Sequence, residues 1–493
     1  MKCQTFVAPA LFASLAACNG ENSQPTPITM PRIDVPPVVS AGVDISADEF
    51  AIVQLAGSAS DVDGEFSIEW RQITGPVVEL ESTDQLSTSF QTPFVRRDTT
   101  FTFRLTADDG VNDPVSDDIN IRVEDAGVSV SRINPIGESY IDPELHPIRD
   151  EIVFQRNQQV WVGAFDPSTG RFVSDTGMDH LIADTIDLTR SRNGPEYGWD
   201  SSGVAVYFNS DGSDGSAQFS RAIELGVGSY SVGQLTPNGN DRVNQLPSQD
   251  PGSISTFLAY GRAATVPGVP GANGFISYLN ERSPGNDIDV TPLRPGFAGF
   301  RWLRGSPIFA TTVADPGPEE GQIKLVNAET GEQRVVTDDP GVKFDPFPWF
   351  APEFENAIAV QARVNETDIA IYVDRGGAFF ERVSLLTPPE ETDLQFVQSA
   401  EPFVSQENIS YISLTLKDNP GSVFTDVDDS EIWLYGISDG SDRFTLNCGD
   451  GAPNTVRHEA ETRSGTSQIL IYYNEILPSG AFDLVLCETG LEP

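Results

Sequence analysis

At 493 residues and 39% apolar content the chain can bury more than one core, and at about 150 residues per domain it divides into two to four units unless one of them is a large repeat array. Its 73 acidic residues against 30 basic ones give a formal net charge of −43, a field that repels phosphate backbones and excludes nucleic acid as an expected partner. That charge suits either a solvated acidic surface in salty surroundings or a set of hard-cation sites, chiefly for calcium.

With 43 Gly and 36 Pro and few long helical patterns, the chain reads as all-β and turn-rich. It begins with Met1-Lys2, an apolar run over residues 6–15 and the small residues Ala16-Ala17 before Cys18. One positive residue, an apolar stretch of about ten residues and small residues at the cut describe a secretory signal, too short to span a membrane. Leu15-Ala16-Ala17-Cys18 resembles the bacterial lipobox. The resemblance implies removal of a signal peptide at residues 1–17 and lipidation of Cys18; an ordinary signal peptide with a free Cys18 is the other reading. Two or more acyl chains anchor a protein without spanning the bilayer. Asn19 occupies the place where Asp would signal inner-membrane retention, so the analogy favours the outer membrane. Residues 18–37, rich in Ser, Asn, Thr and Pro, predict a tether with no core.

Residues 38–126 predict one compact β-sandwich. Phe50–Leu55, Phe66–Trp70, Thr100–Leu105 and Asp118–Val123 all alternate with period two between Gly, Asp and Pro turns, as an immunoglobulin-like domain requires. Ser40-Ala-Gly-Val-Asp44, Leu55-Ala-Gly-Ser-Ala-Ser-Asp-Val-Asp-Gly64, Glu69-Trp-Arg-Gln72 and Leu105-Thr-Ala-Asp-Asp-Gly110 resemble the PKD-type modules of bacterial surface proteins. That resemblance implies a spacer or adhesion element without catalysis. Trp70 is expected in the core, facing the opposite sheet. Asp61, Asp63, Asp108 and Asp109 sit at loop ends where an oxygen-only calcium site could form, or where Asp serves as turn former and cap.

Residues 135–493 predict a repeat array. Apolar runs start at Asp150, Gly203, Ile254, Pro307, Ala357, Ile409 and Gln468, roughly 50 residues apart, the period of propeller blades. Second runs follow, among them Gln159–Gly163, Gly321–Val326, Asp368–Val373 and Glu431–Tyr435, often with Asp/Asn-x-x-Thr-Gly turns; Gln234-Leu-Thr-Pro237 and Leu385-Leu-Thr-Pro388 complete the phrase. This resembles the TolB-like β-propeller family. Seven starts favour seven blades, with six as the alternative because the copy over 242–293 is poorly formed and carries an insertion over 266–274.

With Cys3 in the signal and Cys18 at the lipidation site, Cys448 and Cys487 remain, an even pair that reads as a disulfide in an exported protein. Two free thiols or a metal pair is the rival reading.

Chemistry is sparse. The histidines are His146, His180 and His458, and neither a Gly-x-Ser-x-Gly elbow nor a phosphate loop is present. His458-Glu-Ala-Glu-Thr462 begins like a zinc-protease helix but has Thr462 where a second His is required. The segments just before each repeated run are expected to converge at the mouth of a propeller channel. In chain order they are Glu144 and His146; Glu196 and Trp199; Asp250; Arg301 and Trp302; Trp349 and Glu353; Glu401; then Arg457, His458 and Glu459. The plainer reading makes Trp199, Trp302 and Trp349 blade-packing residues and the charges solvated.

The expected architecture is therefore an immunoglobulin-like (PKD-type) sandwich followed by a six- or seven-bladed propeller, lipid-anchored to the outer membrane. The expected role is non-catalytic binding of a protein or glycan partner. The alternative is an exported polysaccharide lyase or hydrolase using rim carboxylates with His146 or His458. A third reading is envelope scaffolding through calcium-bridged contacts.

Overall fold

The computed structural model describes residues 34–493 except 49–50, 94, 96–97, 125–126, 185–193, 264–273, 294–298, 391, 421–428, 438–441 and 450–453. The chain falls into two compact units, one ending at Val123 and the other holding Glu124–Pro493. Among the described residues no helix is long and apolar enough to cross a membrane. The lipobox and Cys18 lie outside the described residues.

The first unit is a sandwich. One sheet runs Ile45–Asp48, Val115–Glu124, Thr99–Asp108, Ser67–Thr74, all antiparallel neighbours where register is given, and Ile52–Ala56 pairs with Ser87–Gln91. Alternation dictates what is inside: Phe101, Phe103, Leu105 and Ala107 are fully buried while the residues between them face outward. Trp70 is 1% exposed, as expected of a core residue. Phe90 meets Phe103 with ring centroids 4.8 Å apart.

The second unit contains seven four-stranded antiparallel sheets, hereafter blades 1 to 7. Their innermost strands are Ile141–Leu145, Glu196–Asp200, Asp241–Pro247, Phe300–Trp302, Phe344–Ala351, Phe396–Val404 and Val456–Ser464. Six of the seven apolar runs read from the sequence fall on the second strand of a blade, the run from Ile254 enters its strand only at Phe257, and the four second runs fall on third strands. The second strands of the blades are chiefly buried on both faces, and Ser410–Lys417 is buried at every position. Each blade is covered by a neighbour on either side, so these strands read as continuous apolar runs and lack the alternation of the sandwich.

Seven apolar clusters show the ring to be closed. Adjacent pairs share them in turn, from Val153, Val160 and Val162 against Tyr197 and Val206 between blades 1 and 2, to Ile152 and Phe154 against Leu470, Tyr472 and Leu486 between blades 1 and 7. The outer strand of blade 7 is Ser129–Arg132, which pairs antiparallel with Phe482–Glu488 from the chain's far end. This closing strand lies ahead of the boundary at 135 expected from the repeats, because a single short strand carries no repeat signal. Blade 3, expected to be poorly formed, is a complete four-stranded sheet: Phe257–Ala263 pairs with Phe275–Asn280 residue by residue, and most of the expected insertion lies outside the described residues.

Cys448 and Cys487 form a disulfide with Cα atoms 5.7 Å apart. Cys448 follows the outer strand of blade 6, and Cys487 sits on the third strand of blade 7 opposite Val130 of the closing strand. The bridge therefore ties blade 6 to the blade where the ring is sealed.

Candidate functional site

Five of the seven inner strands carry a bulge at the same height. The register slips between Ile141 and Glu144, Val243 and Leu246, Phe344 and Phe347, Gln398 and Glu401, and His458 and Glu461. Inside each slip one residue is left-handed: Asp142, Asn244, Asp345, Ser399 and Glu459, with φ between 47° and 56°. Asp and Asn tolerate that region; Glu and Ser do so at a cost of roughly 1–3 kcal/mol, which the surrounding sheet must hold in place. A bulge bends the strand and re-aims the side chains that follow.

Blades 2 and 4 have glycine at the matching place. A Cβ on Gly194 would lie 2.4 Å from the Asp142 Cβ, and one on Gly299 would lie 2.6 Å from the Asp345 Cα. Glycine there lets the neighbouring bulge pack.

Two residues beyond each of these seven positions stand Glu144, Glu196, Leu246, Arg301, Phe347, Glu401 and Glu461, and all seven line one cavity of about 790 Å3. Blades 6, 7, 1 and 2 thus present an unbroken arc of Glu401, Glu461, Glu144 and Glu196. Blade 4 opposes it with Arg301 and, further toward the mouth, Arg304. Apolar surface comes from Trp302, Phe347, Phe350 and Phe403.

The carboxyls touch solvent inside the channel but are deep within the ring, and lost hydration is the leading cause of their altered acidity. Burial, then the charges of Glu196 and Glu401, hold Glu144 well above the usual carboxylate range, and its carboxyl donates a hydrogen bond to Glu196. Burial raises Glu196 likewise, opposed by that hydrogen bond and by Arg301. Burial, then Glu144, Glu401 and Glu459, raise Glu461. Glu401 is raised by burial against the pull of Arg301 and of a hydrogen bond from Glu461. A third pair lies at the bulge level, where Asp142, raised by burial and by Glu459, donates to Glu459.

Of the expected rim residues, Glu144, Glu196, Arg301 and Glu401 form this ring, with Trp302 and Trp349 at the cavity wall. Both tryptophans are chiefly packing residues: Trp302 is 5.0 Å from Phe309 and donates to the Leu246 carbonyl, while Trp349 donates to Ser410 Oγ across to blade 6. His146 reaches the cavity but serves its own loop. Its Nδ1 accepts the N–H groups of Ile148 and Arg149 at 3.1 Å, and burial with the adjacent Arg149 pushes it down to about 3.

The remaining expectations are corrected. Trp199 pairs with the chain at Ser248, and Asp250 caps a turn through the Gly252 N–H. Glu353 holds Ser410 through its N–H and hydroxyl, a strut from blade 5 to blade 6. Arg457 is 1% exposed and bonds the Ser430 carbonyl and Glu475. His458 is 2% exposed, with burial pushing it down to about 4. None of these five lines the cavity; in blade 7 the bulge turns the alternation by one residue at Arg457 and His458, and Glu459 occupies the bulge itself. The His458–Thr462 stretch is part of a strand, which removes the zinc-helix resemblance. Glu461, Arg304, Leu246 and Phe347 were missed. Only Phe347 had a signal, the recurrent triplet Asp142-Pro-Glu144, Gly194-Pro-Glu196, Asp345-Pro-Phe347, whose central proline suits an inner edge strand; Glu461, Arg304 and Leu246 stand in no such triplet.

In the sandwich, Asp108 caps Gly110 and Asp109 caps Val111 and Asn112. Asp61 and Asp63 face Asp34, whose carboxyl is raised by burial and by the charges of Asp63, Asp109 and Asp61. Among the described residues no three acidic or histidine side chains converge as a metal-ligand set.

Residues 41–123 match a PKD-domain family model, so this unit contains a PKD-like domain. No curated protein matches the chain. Among solved structures, Trypanosoma rangeli sialidase in complex with sialic acid is similar at 10% identity and a TM-score of 0.41, over 73% of this chain and 60% of that one. The Dos1 propeller is similar at 8% identity and a TM-score of 0.44, over 74% of this chain and 95% of that one. The chain spans 60% of the sialidase's length. At this distance neither neighbour bears on function, and the seven-bladed ring rests on the strand order given above.

Proposed function

We propose that this protein is an outer-membrane or surface lipoprotein whose propeller captures a protein or glycan partner in its channel without transforming it, the PKD-like domain acting as spacer. The supporting observation is the ring of Glu144, Glu196, Arg301, Glu401 and Glu461 aimed from inner strands into one cavity of about 790 Å3. Rigid, bulge-set side chains around a half-apolar cavity are what specific capture requires. Three hydroxyls line the cavity, Ser413, Thr462 and Ser464; Ser413 bonds only backbone carbonyls and Thr462 Oγ1 has no partner. That favours binding over nucleophilic chemistry.

The second reading is a polysaccharide lyase or hydrolase. It is favoured by Glu144 and Glu196 standing on neighbouring blades in one cavity, both raised by burial, since paired carboxyls of unequal acidity can act as acid and base. One experiment separates the two: incubate the protein with a panel of neutral, acidic and amino glycans and measure both retention and bond cleavage. Retention without cleavage upholds capture. Cleavage that disappears in Glu196→Gln upholds the enzyme.

Lipidation at Cys18 is part of the proposal and is tested by labelled palmitate, with incorporation lost in Cys18→Ala. Calcium in the PKD-like domain is the remaining part, supported by Asp61 Oδ2 and Asp63 Oδ1, buried oxygens without a donor. Its test is a calcium-dependent rise in Tm that vanishes in Asp61→Ala with Asp63→Ala.

A further inference from the structure

The carboxyl arc narrows the chemistry of the occupant. Two buried carboxylates at hydrogen-bond distance need a proton or a cation between them, and the channel holds such pairs on neighbouring blades, Glu144 with Glu196 and Glu401 with Glu461. A divalent metal ion requires its oxygens gathered within roughly 2.3–2.6 Å of one point, and among the described residues no acidic set converges in that way. An ammonium or guanidinium group has the opposite need. Its N–H donors point apart and are satisfied by carboxylates spaced around a cavity.

An independent feature points the same way. Gln155 is 1% exposed, yet neither its Oε1 nor its Nε2 has a partner. A Cβ on Gly194 would lie 2.9 Å from Gln155 Nε2 and 3.1 Å from Asp142 Oδ2, at the bulge level two residues before Glu196 and Glu144. Glu459, whose carboxyl accepts from Asp142, has an Oε2 that no N–H or hydroxyl reaches. Beside the arc, at the bulge level, the fold therefore leaves buried polar atoms that no N–H, hydroxyl or carbonyl of the chain matches. Phe347, Phe350 and Phe403 at the wall supply surface for an alkyl stem or a sugar face.

We infer that the channel is a receptor for a protonated primary amine, which enters by displacing the protons shared within the Glu144–Glu196 and Glu401–Glu461 pairs. The inference rests on the capture reading and specifies its ligand. Each displaced carboxyl proton leaves its O–H bond for bulk solvent, no other covalent bond changes, and the amine keeps its own proton. The other charged groups facing the arc are Arg301 and Arg304 from blade 4, Asp345 from blade 5, Asp142 from blade 1, and Glu459 with the neutral His458 from blade 7. The arginines keep anions attracted to one side of the channel, so the amine site is the opposite arc.

The test is calorimetric titration of the full chain at low salt in two buffers of different ionisation enthalpy. The probes are a glucosamine hexamer, its fully N-acetylated counterpart and pentalysine. The expected result is binding of glucosamine hexamer or pentalysine with net proton release, affinity rising with pH above the ordinary carboxylate range, and roughly tenfold or greater loss in Glu144→Gln with Glu196→Gln. Which of the two amines binds identifies a glycan or a polypeptide as the source. Exposed Glu332→Gln serves as control and leaves binding unchanged, and an unchanged melting curve excludes misfolding of the double variant. If the N-acetylated hexamer binds as tightly as the amine, or uptake releases no protons, the amine inference is overturned while capture stands. If none of these probes and no glycan of the neutral or acidic panel is retained, capture itself fails.

Discussion

Arg301 Nη2 on blade 4 lies 3.7 Å from Glu401 Oε1 on blade 6, skipping blade 5. The guanidinium passes over the Phe347 ring, 5.8 Å from its centroid, because blade 5 presents an aromatic where its neighbours present charge. Arg301 is the cation that lowers Glu144, Glu196, Glu401, Glu459 and Glu461 together.

Arg301→Met is therefore expected to destabilise the propeller at neutral pH by about 1–2 kcal/mol, below the roughly 3–5 kcal/mol of a fully buried pair because the Arg301 side chain is 36% exposed. Without Arg301 the carboxyls rise further, so the deficit shrinks as the pH falls to where they are protonated in both states. Denaturant melts at acidic and neutral pH measure it; an equal deficit at both would assign Arg301 a packing role.

Wild-type stability should fall on both sides of an optimum. The raised carboxyls of Glu144, Glu196 and Glu461 bind more protons folded than unfolded, so their stabilisation is full below the ordinary value of 4.5 and is lost as pH rises above it. His146 and His458, pushed down to about 3 and about 4, act in the other direction: stability is full above 6.5 and is lost as pH falls toward 4. Glu144→Gln with Glu196→Gln should flatten the alkaline limb and leave the acid limb in place, as read by Tm against pH.

Reduction, or Cys448→Ser with Cys487→Ser, frees a loop of 39 residues. The chain-entropy ceiling for that loop is about 4 kcal/mol, with a smaller loss expected in practice. Because the bridge joins blade 6 to the sealing blade, hydrogen exchange should rise first in Phe482–Glu488 and its partner Ser129–Arg132.

Closure can be tested at the N-terminal side of the ring. A chain starting at residue 127 should fold and melt cooperatively, whereas one starting at 135 leaves the edge of Phe482–Glu488 unpaired and should melt lower or aggregate.

The two architectures were legible to different degrees. Period-two alternation marked the sandwich because one face of each strand meets water, and it gave Trp70 as a core residue. The blades were legible as repeated apolar runs because both faces are covered. The closing strand Ser129–Arg132 was not, since its partner lies at the opposite end of the chain. At the channel, Glu144, Glu196, Arg301 and Glu401 could be read from position before a repeated strand. Glu461 could not, because the bulge at Glu459 moves the inward side chain beyond His458, and a left-handed Glu leaves no compositional trace.

The most direct measurement is the affinity of the full chain and of its Glu461→Gln variant for any ligand the propeller retains. Glu461 sits at the middle of the arc and holds no strand together. The expected result is a roughly tenfold or greater rise in Kd with the fold intact; an unchanged Kd would place the binding site outside the channel.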